Sequence, residues 1–179
     1  MILKTTAITE KFNDLEKVNT LAKEAFPPAE YLAPNELIEM SKEGKLDFWA
    51  LYNNELFVGF MVVRVYKKMA YLFFLAISSE YRSSGYGARA IETLKELYPR
   101  MQQVVDLEKI DETAENFEQR KIRRSFYIRN GYKSTGQFLS YLGVEYEILS
   151  MDNDFDFRLF QEMLDNLQLK GFYPDYSGN

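Results

Sequence analysis

LFFLAISSEYRSSGYGARAI, residues 72–91, is the stretch that decides the fold. It closes a run of apolar residues that begins at Met69 (MAYLFFLAI). A continuous apolar run predicts a strand buried on both faces, hence a central one. Ser78 to Ser84 is a polar loop. From Gly85 to Tyr98 the spacing is helical, with Ala88, Ile91, Leu94 and Leu97 on adjoining turns, and Pro99 closes the helix. Gly85 and Gly87 permit close backbone approach and positive φ. The helix start offers unpaired N–H groups and partial positive charge, and Arg82 adds a forked donor. Arg82, Ser83, Ser84, Gly85, Tyr86, Gly87 and Ala88 therefore read as a seat for a pyrophosphate. A bare Gly-x-Gly would be only a turn. The order of central strand, polar loop, Arg-x-x-Gly-x-Gly and long helix carries the phosphate reading. No Lys-Ser/Thr follows the glycines, which excludes a Walker loop. Gly85-x-Gly87-x-x-Ala90, with Asp106 about 20 residues on, fits the dinucleotide fingerprint. Against it, Ser78–Ser84 separate the strand from the first glycine, so a dinucleotide site is kept as the minor alternative.

Working outward, residues 2–9 predict a strand. Asn13 and Asp14 are N-cap candidates for a helix that stops at Phe26, before Pro27 and Pro28. A second helix is expected over 35–42. Strands at 47–52, 55–66 and 69–77, joined by Asn53-Asn54 and Lys67-Lys68, form an antiparallel meander. Beyond the glycine loop come a strand at 102–110 and a helix at 113–129 with the stop signal Asn130-Gly131. Strands at 132–141 and 144–151 and an amphipathic helix at 155–169 complete the chain, with a loose tail after Gly171. The strand–helix–strand unit over 69–110 is expected to be a parallel crossover.

The chain has 179 residues, 46% hydrophobic and 27% charged, which is ordinary globular composition. No linker divides it, so one domain over 1–179 is expected, with 155–179 as C-terminal helix and tail. Cysteine and histidine are both absent. That excludes a disulfide framework, Cys/His zinc sites, a Cys nucleophile and any triad with a histidine base. Acid–base chemistry falls to Asp, Glu, Tyr, Lys, water or the backbone. The net charge of −5 argues against a dedicated nucleic-acid binder. No apolar run approaches about 18 residues, and MILKTTAITEKF lacks the apolar core of a signal peptide. A soluble, cytoplasmic protein without a membrane partner is expected.

Three segments carry a family resemblance: Arg82-Ser83-Ser84-Gly85-Tyr86-Gly87, Phe126-Tyr127-Ile128-Arg129-Asn130-Gly131-Tyr132 and Phe26-Pro27-Pro28-Ala29-Glu30. The first resembles the acetyl-CoA signature Gln/Arg-x-x-Gly-x-Gly/Ala of the GNAT superfamily, the Gcn5-related N-acetyltransferases. The second is similar to the family's aromatic-Tyr-x-x-x-Gly-aromatic segment, and the third to a Phe-Pro-x-x-Glu segment in many members. The element order matches over nearly the whole chain. The resemblance implies an α/β (α+β) fold: a mixed, mostly antiparallel sheet of about seven strands flanked by helices, with a C-terminal helix.

It also implies an enzyme that transfers acetyl from acetyl-CoA to a primary amine by direct attack in a ternary complex. The amine is a small molecule or a peptide, and no metal is expected. The fourth strand is expected to be bulged. Backbone groups of Leu75, Ala76 and Ile77 pair with the pantetheine arm, and one N–H polarises the thioester carbonyl. Tyr127 matches the residue that protonates the departing thiolate, which suits a phenol near ~10 facing a thiol near ~8.5. An arbitrary tyrosine on a helix would be a plain buried aromatic; the surrounding motif reverses that reading. Some members carry a Glu on the fourth strand as base, but Ala70-Tyr71-Leu72-Phe73 holds no carboxylate. The candidates are Glu30 and Glu108, beside a water relay or capture of the neutral amine. Many members place Asn seven residues before the tyrosine, where this chain has Arg120. Arg120, Lys121, Arg123, Arg124 and Arg129 read mostly as a solvated basic face, with counter-charge for CoA phosphates as the functional reading. The competing functions are a non-catalytic CoA-binding sensor or assembly module and a dinucleotide-dependent oxidoreductase. A second copy of the chain is the protein partner considered.

Overall fold

Seven stretches with strand character do become strands, and an eighth joins them at the C-terminus. The computed structural model describes residues 2–28 and 30–178; Ala29 of the Phe-Pro-x-x-Glu segment lies outside the described residues. In chain order the elements are β1 (Lys4–Ala7), α1 (Leu15–Ala25), α2 (Pro34–Lys42), β2 (Asp47–Asn53), β3 (Leu56–Tyr66) and β4 (Met69–Ile77). Then follow α3 (Tyr86–Leu97), β5 (Gln102–Glu108), α4 (Phe117–Arg129), β6 (Lys133–Tyr141), β7 (Val144–Ser150), α5 (Phe157–Leu167) and β8 (Asp175–Gly178). The strand order is β1-β2-β3-β4-β5-β7-β6-β8. Pairing is antiparallel for β1–β2, β2–β3, β5–β7, β6–β7 and β6–β8, and parallel for β4–β5. The fold is thus mixed α/β with a mostly antiparallel sheet. Among the described residues no helix is long and apolar enough to cross a membrane.

The chain divides into two units. The first is Met1–Val65 with Leu72–Pro99. Its core joins Val18, Leu21 and Ala22 of α1, Leu37 and Ile38 of α2, and Phe48, Ala50, Phe60 and Val62 of β2 and β3. Pro34 opens α2, where its missing N–H is harmless, and the Glu36 carboxylate accepts from the Ala33 N–H at 2.9 Å. Two polar ties fix α3. Thr93 Oγ1 accepts from the Leu3 N–H at 2.8 Å, and the Tyr98 hydroxyl donates to Asp47 at 2.6 Å while accepting from Trp49 Nε1.

The second unit is Tyr66–Tyr71 with Arg100–Asn179. Parallel pairing sets Met69, Ala70 and Tyr71 opposite Gln102, Gln103 and Val104. α5 buries Leu159, Phe160, Met163, Leu164 and Leu167, and Asp156 caps it by accepting from the Leu159 N–H. The tail expected to be loose is β8, which pairs with β6 from Ser140↔Asp175 to Gln137↔Gly178. The open edge of β6 supplies its hydrogen-bond partners, and the Tyr176 ring meets Phe157 edge-on at 5.8 Å. A four-residue polar strand has no apolar alternation to announce it. α4 starts at Phe117 rather than near Thr113. Asp111 Oδ1 accepts from both the N–H and the hydroxyl of Thr113, a local turn that competes with helix.

β4 carries the expected bulge. A two-residue turn at Lys67-Lys68 sets Tyr66 opposite Met69, and so Val58 opposite Ile77. Instead Ser78 N–H donates to the Val58 carbonyl at 3.0 Å, so β4 holds one residue more by that point. The extra residue shows at Phe73 and Phe74. Neighbours in a regular strand face opposite ways, yet these two rings lie 4.5 Å apart and both pack on the first unit's core. Such a doubling on one side is what a bulge does. Gly59 makes room for it, since a Cβ there would stand 2.1 Å from the Ala76 carbonyl oxygen. Gly59→Ala is expected to destabilise by at least about 1–3 kcal/mol, because the obstacle is backbone and cannot swing away. The midpoint of denaturant unfolding measures it; an unchanged midpoint would remove Gly59 from the account of the bulge.

Candidate active site

The first unit presents the loop. After β4 a single 3-10 turn, Ser79–Tyr81, leads to Arg82, whose Nε donates to the Ile77 carbonyl at 3.1 Å. Ser83 and Gly85 take positive φ, 62° and 82°, and α3 begins at Tyr86. The first backbone donor to return within the helix is Arg89 N–H, to Gly85 at 3.1 Å. The N–H groups just ahead of it are those a helix start leaves free for a ligand. No acidic residue stands in the first turn, and the side of Gly85 where a Cβ would project is open. Asn53 steadies this end of α3, accepting from Arg89 at 3.1 Å and donating to the Tyr86 hydroxyl at 3.0 Å. The loop expectation needs one correction. Gly87 is helical, and the left-handed positions are Gly85 and Ser83. Arg82, Ser83, Ser84, Gly85, Tyr86, Gly87 and Ala88 all meet at this helix start, a geometry suited to a pyrophosphate.

Leu75, Ala76 and Ile77 follow the bulge directly. Glu30 sits at a turn in which its N–H donates to the Pro27 carbonyl at 2.9 Å. Phe26, at the head of that segment, lies 4.6 Å from Phe74.

The second unit presents Tyr127. The Asn130-Gly131 stop folds the chain back, with Gly131 at φ 98° and the Tyr132 N–H donating to the Tyr127 carbonyl at 3.1 Å. The Tyr132 ring thereby stands edge-on to Tyr127 at 5.3 Å, with Phe126 on another side at 5.1 Å. Tyr127 is 7% exposed. Burial raises its pKa, Arg123 opposes the rise and Asp106 adds to it, so the phenol is a proton donor at neutral pH. Tyr132 is 1% exposed, and its hydroxyl has no partner among the described residues.

Glu108 is differently placed. Its carboxylate accepts from Asn116 at 3.1 and 3.2 Å, pairs with Arg123 at 2.8 Å and with Arg120 at 3.2 Å. Arg120 also donates to Asn116 and to the Lys109 carbonyl. Arg124 holds Glu147 through two bonds, 2.7 and 3.1 Å, and Lys121 pairs with Glu118. The basic residues of α4 are therefore largely matched by carboxylates, which corrects the reading as a solvated face or a phosphate clamp for Arg120 and Arg124, while Arg123 stays exposed beside its carboxylate. Sequence reasoning missed one contact. Asp106 accepts a hydrogen bond from the Tyr71 hydroxyl, and Tyr71 is 4% exposed. Alternation along β5, with Val104, Asp106 and Glu108 on one face, was the available signal.

Residues 44–134, just over half of the chain, match the family model described as acetyltransferase (GNAT) domain. No curated protein matches in sequence. Among solved structures, a Bacteroides thetaiotaomicron protein assigned to the GNAT acetyltransferases is 22% identical, with TM-score 0.72, over 92% of this chain and 95% of that one. An aminoglycoside 6'-N-acetyltransferase complexed with coenzyme A is 18% identical, with TM-score 0.63, over 86% and 99%. The PaiA N-acetyltransferase of Thermoplasma acidophilum, in complex with coenzyme A, is 15% identical, with TM-score 0.57, over 83% and 98%. These likenesses show the fold.

The Arg124–Glu147 pair that ties α4 to β7 sets a pH dependence. Burial pushes Glu147 upward, yet the Arg124 and Ser134 hydrogen bonds outweigh it and leave the pKa lowered. A depressed folded pKa gives stability that is full above the unfolded value near ~4.3 and is lost as pH falls through the folded one. Glu147→Gln is expected to flatten that acid limb, read as denaturant midpoints on both sides of about pH 4. An acid limb as steep as wild type would assign it to other carboxylates.

Proposed function

The chain belongs to the GNAT acetyltransferase family, and from that premise we propose that it transfers an acetyl group from acetyl-CoA to a primary amine by direct attack in a ternary complex. The observation that carries this reading is the loop Arg82–Ala88 at the start of α3, with its left-handed Ser83 and Gly85 and its acid-free first turn. The pyrophosphate of acetyl-CoA takes the free N–H groups there, and Arg82 supplies charge. The backbone of Leu75, Ala76 and Ile77, just past the bulge, pairs with the pantetheine arm. An N–H of that segment stabilises the oxyanion as the amine attacks. Tyr127 donates its proton towards the sulfur as the C–S bond breaks.

Glu30 is the acceptor-side carboxylate in this reading. Glu108 is the poorer base, because taking a proton would uncouple it from two guanidinium groups and an amide. The acceptor is a cationic small molecule or peptide amine, in keeping with a net charge of −5. Residues 1–179 work as one acetyltransferase domain, in the cytoplasm. A non-catalytic CoA-binding module is disfavoured by the retained Tyr127, whose buried phenol meets no hydrogen-bond partner among the described residues.

Acetyl-CoA is expected to raise the melting temperature and NAD to leave it unchanged. At about 100 times its Kd the ligand adds ~2.7 kcal/mol. No shift at millimolar acetyl-CoA would end the proposal. Tyr127→Phe should lower kcat by about 10²–10⁴-fold and leave acetyl-CoA affinity near wild type, since the hydroxyl acts where charge reaches the sulfur. The melting temperature should hold, because the phenol makes no hydrogen bond among the described residues. A kcat within a small factor of wild type would make Tyr127 a packing residue.

A further inference from the structure

α3 begins in a way that helices usually avoid. A helix start leaves its first N–H groups without partners and carries partial positive charge, so acids and capping side chains gather there. The start of α3 has neither: Gly85 offers no side-chain cap, and no acid stands in the first turn. Two arginines attend it instead. Arg82 precedes the turn, and Arg89 reaches back over it, with its guanidinium carbon 5.1 Å from the centre of the Tyr86 ring. Positive charge at a helix start costs stability until an anion arrives. The turn is therefore held by something other than a cap.

Asn53 does this from the end of β2. It closes the β2–β3 hairpin opposite Leu56, and Asn54 after it takes a left-handed turn position at φ 55°. From that fixed point its amide works in two directions. Nδ2 donates to the Tyr86 hydroxyl at 3.0 Å, and Oδ1 accepts from Arg89 Nη2 at 3.1 Å. Tyr86 is the first residue of α3 and Arg89 the fourth, so one side chain spans the whole first turn. Both bonds end on side chains, and neither uses a backbone N–H of the turn. The next turn is tied separately, where Thr93 Oγ1 donates to the Arg89 carbonyl and accepts from the Leu3 N–H, both at 2.8 Å. Asn53, Tyr86 and Arg89 are half-buried, whereas Arg82, Ser83, Ser84 and Gly85 are exposed. The holding groups are thus distinct from the exposed loop that meets a ligand.

We propose that Asn53 is a positioning residue for the diphosphate of acetyl-CoA: by gripping Tyr86 and Arg89 it presets the uncapped first turn of α3, and so sets affinity for the co-substrate without touching it. The inference rests on the acetyl-CoA reading of the Arg82–Ala88 loop and adds to it a residue from another strand. Donors that are already in place need no ordering when the anion arrives, so the complex is tighter. Releasing the clamp keeps the same donors and the same charges in the chain. It lets the first turn fray and frees the Arg89 guanidinium to swing into water. The effect is confined to the part of the co-substrate that meets α3. Pantetheine, the same arm without diphosphate or nucleotide, does not use this seat.

The test is titration calorimetry on the full chain with CoA and, beside it, pantetheine. Asn53→Ala is expected to weaken CoA binding by about 10-fold, the scale of two lost hydrogen bonds of which one is charged, while pantetheine binds as it does to wild type. Tyr86→Phe keeps the ring beneath Arg89 and removes one bond only. Its CoA affinity should fall by about 3-fold, and it guards against a folding defect in Asn53→Ala. Asn53→Ala combined with Arg89→Gln should weaken CoA binding by less than the product of the two single losses, because both release the same bond. A merely structural role would lower the melting temperature and weaken both ligands together. No measurement needs an acceptor amine, so the results are separate from success or failure of acetyl transfer. Unchanged CoA affinity in Asn53→Ala, an equal loss for pantetheine, or fully multiplicative losses in the double variant would each overturn the proposal, with wild type still binding CoA and the acetyl-CoA reading intact.

Discussion

The contact between Gly59 and the Ala76 carbonyl is the constraint on which the first unit turns. Without a side chain at Gly59, β4 can carry one residue more than its partner. That extra residue brings Phe73 and Phe74 onto one side, where they join Phe26 in the core. A regular strand would use each backbone N–H and C=O in the ladder. A bulged one leaves groups to be satisfied by something else. The loop after Ile77 then starts from a fixed point, because Ser78 N–H closes onto Val58 and Arg82 onto Ile77.

Much of this was legible in the residues because it depends on local chemistry. MAYLFFLAI can only be a buried strand, and Arg-x-x-Gly-x-Gly before a helical pattern can only be a turn into a helix start. FYIRNGY encodes both Tyr127 and the fold-back that sets Tyr132 against it. What stayed hidden depends on partners far away in the chain. Nothing in DYSG announces a strand until β6 offers its edge. The basic run of α4 reads as solvent-facing until Glu108 and Glu147 arrive beneath it from β5 and β7. Gly87 looks like a left-handed residue by analogy with Gly85, yet the helix begins one residue before it. Asp106 is the plainest case. Its neighbours in sequence are Val105 and Leu107, and its chemical neighbour Tyr71 is on another strand.

A chain without histidine must divide acid–base work among groups whose ordinary pKa values lie far from neutrality. Environment then decides how each carboxylate is held. Glu108 and Asp106 point from the same face of β5, two residues apart. Glu108 is held by Arg120, Arg123 and Asn116, and protonating it would leave two guanidinium groups uncompensated in a half-buried setting. Asp106 accepts a hydrogen bond from the hydroxyl of Tyr71. The arginines of α4 therefore do more than balance charge. By locking Glu108 and Glu147 they fix α4 against β5 and β7, and with it the position of Tyr127.

The direction of the Tyr127 shift bears on what that residue can do. Burial lifts the phenol further above a thiol's ordinary value near ~8.5, so full proton transfer to a solvated thiolate would run uphill. The same desolvation acts on any thiolate that forms beside it, since burial disfavours the charged form of both groups. The two pKa values therefore rise together, and the gap that matters is the one inside the site. The Tyr127 phenol makes no hydrogen bond among the described residues, so under the proposed mechanism it has no competing acceptor to leave before it meets the sulfur. Its hydrogen bond to the sulfur grows as charge arrives and is weak before then, which is the condition for stabilising a transition state more than a ground state.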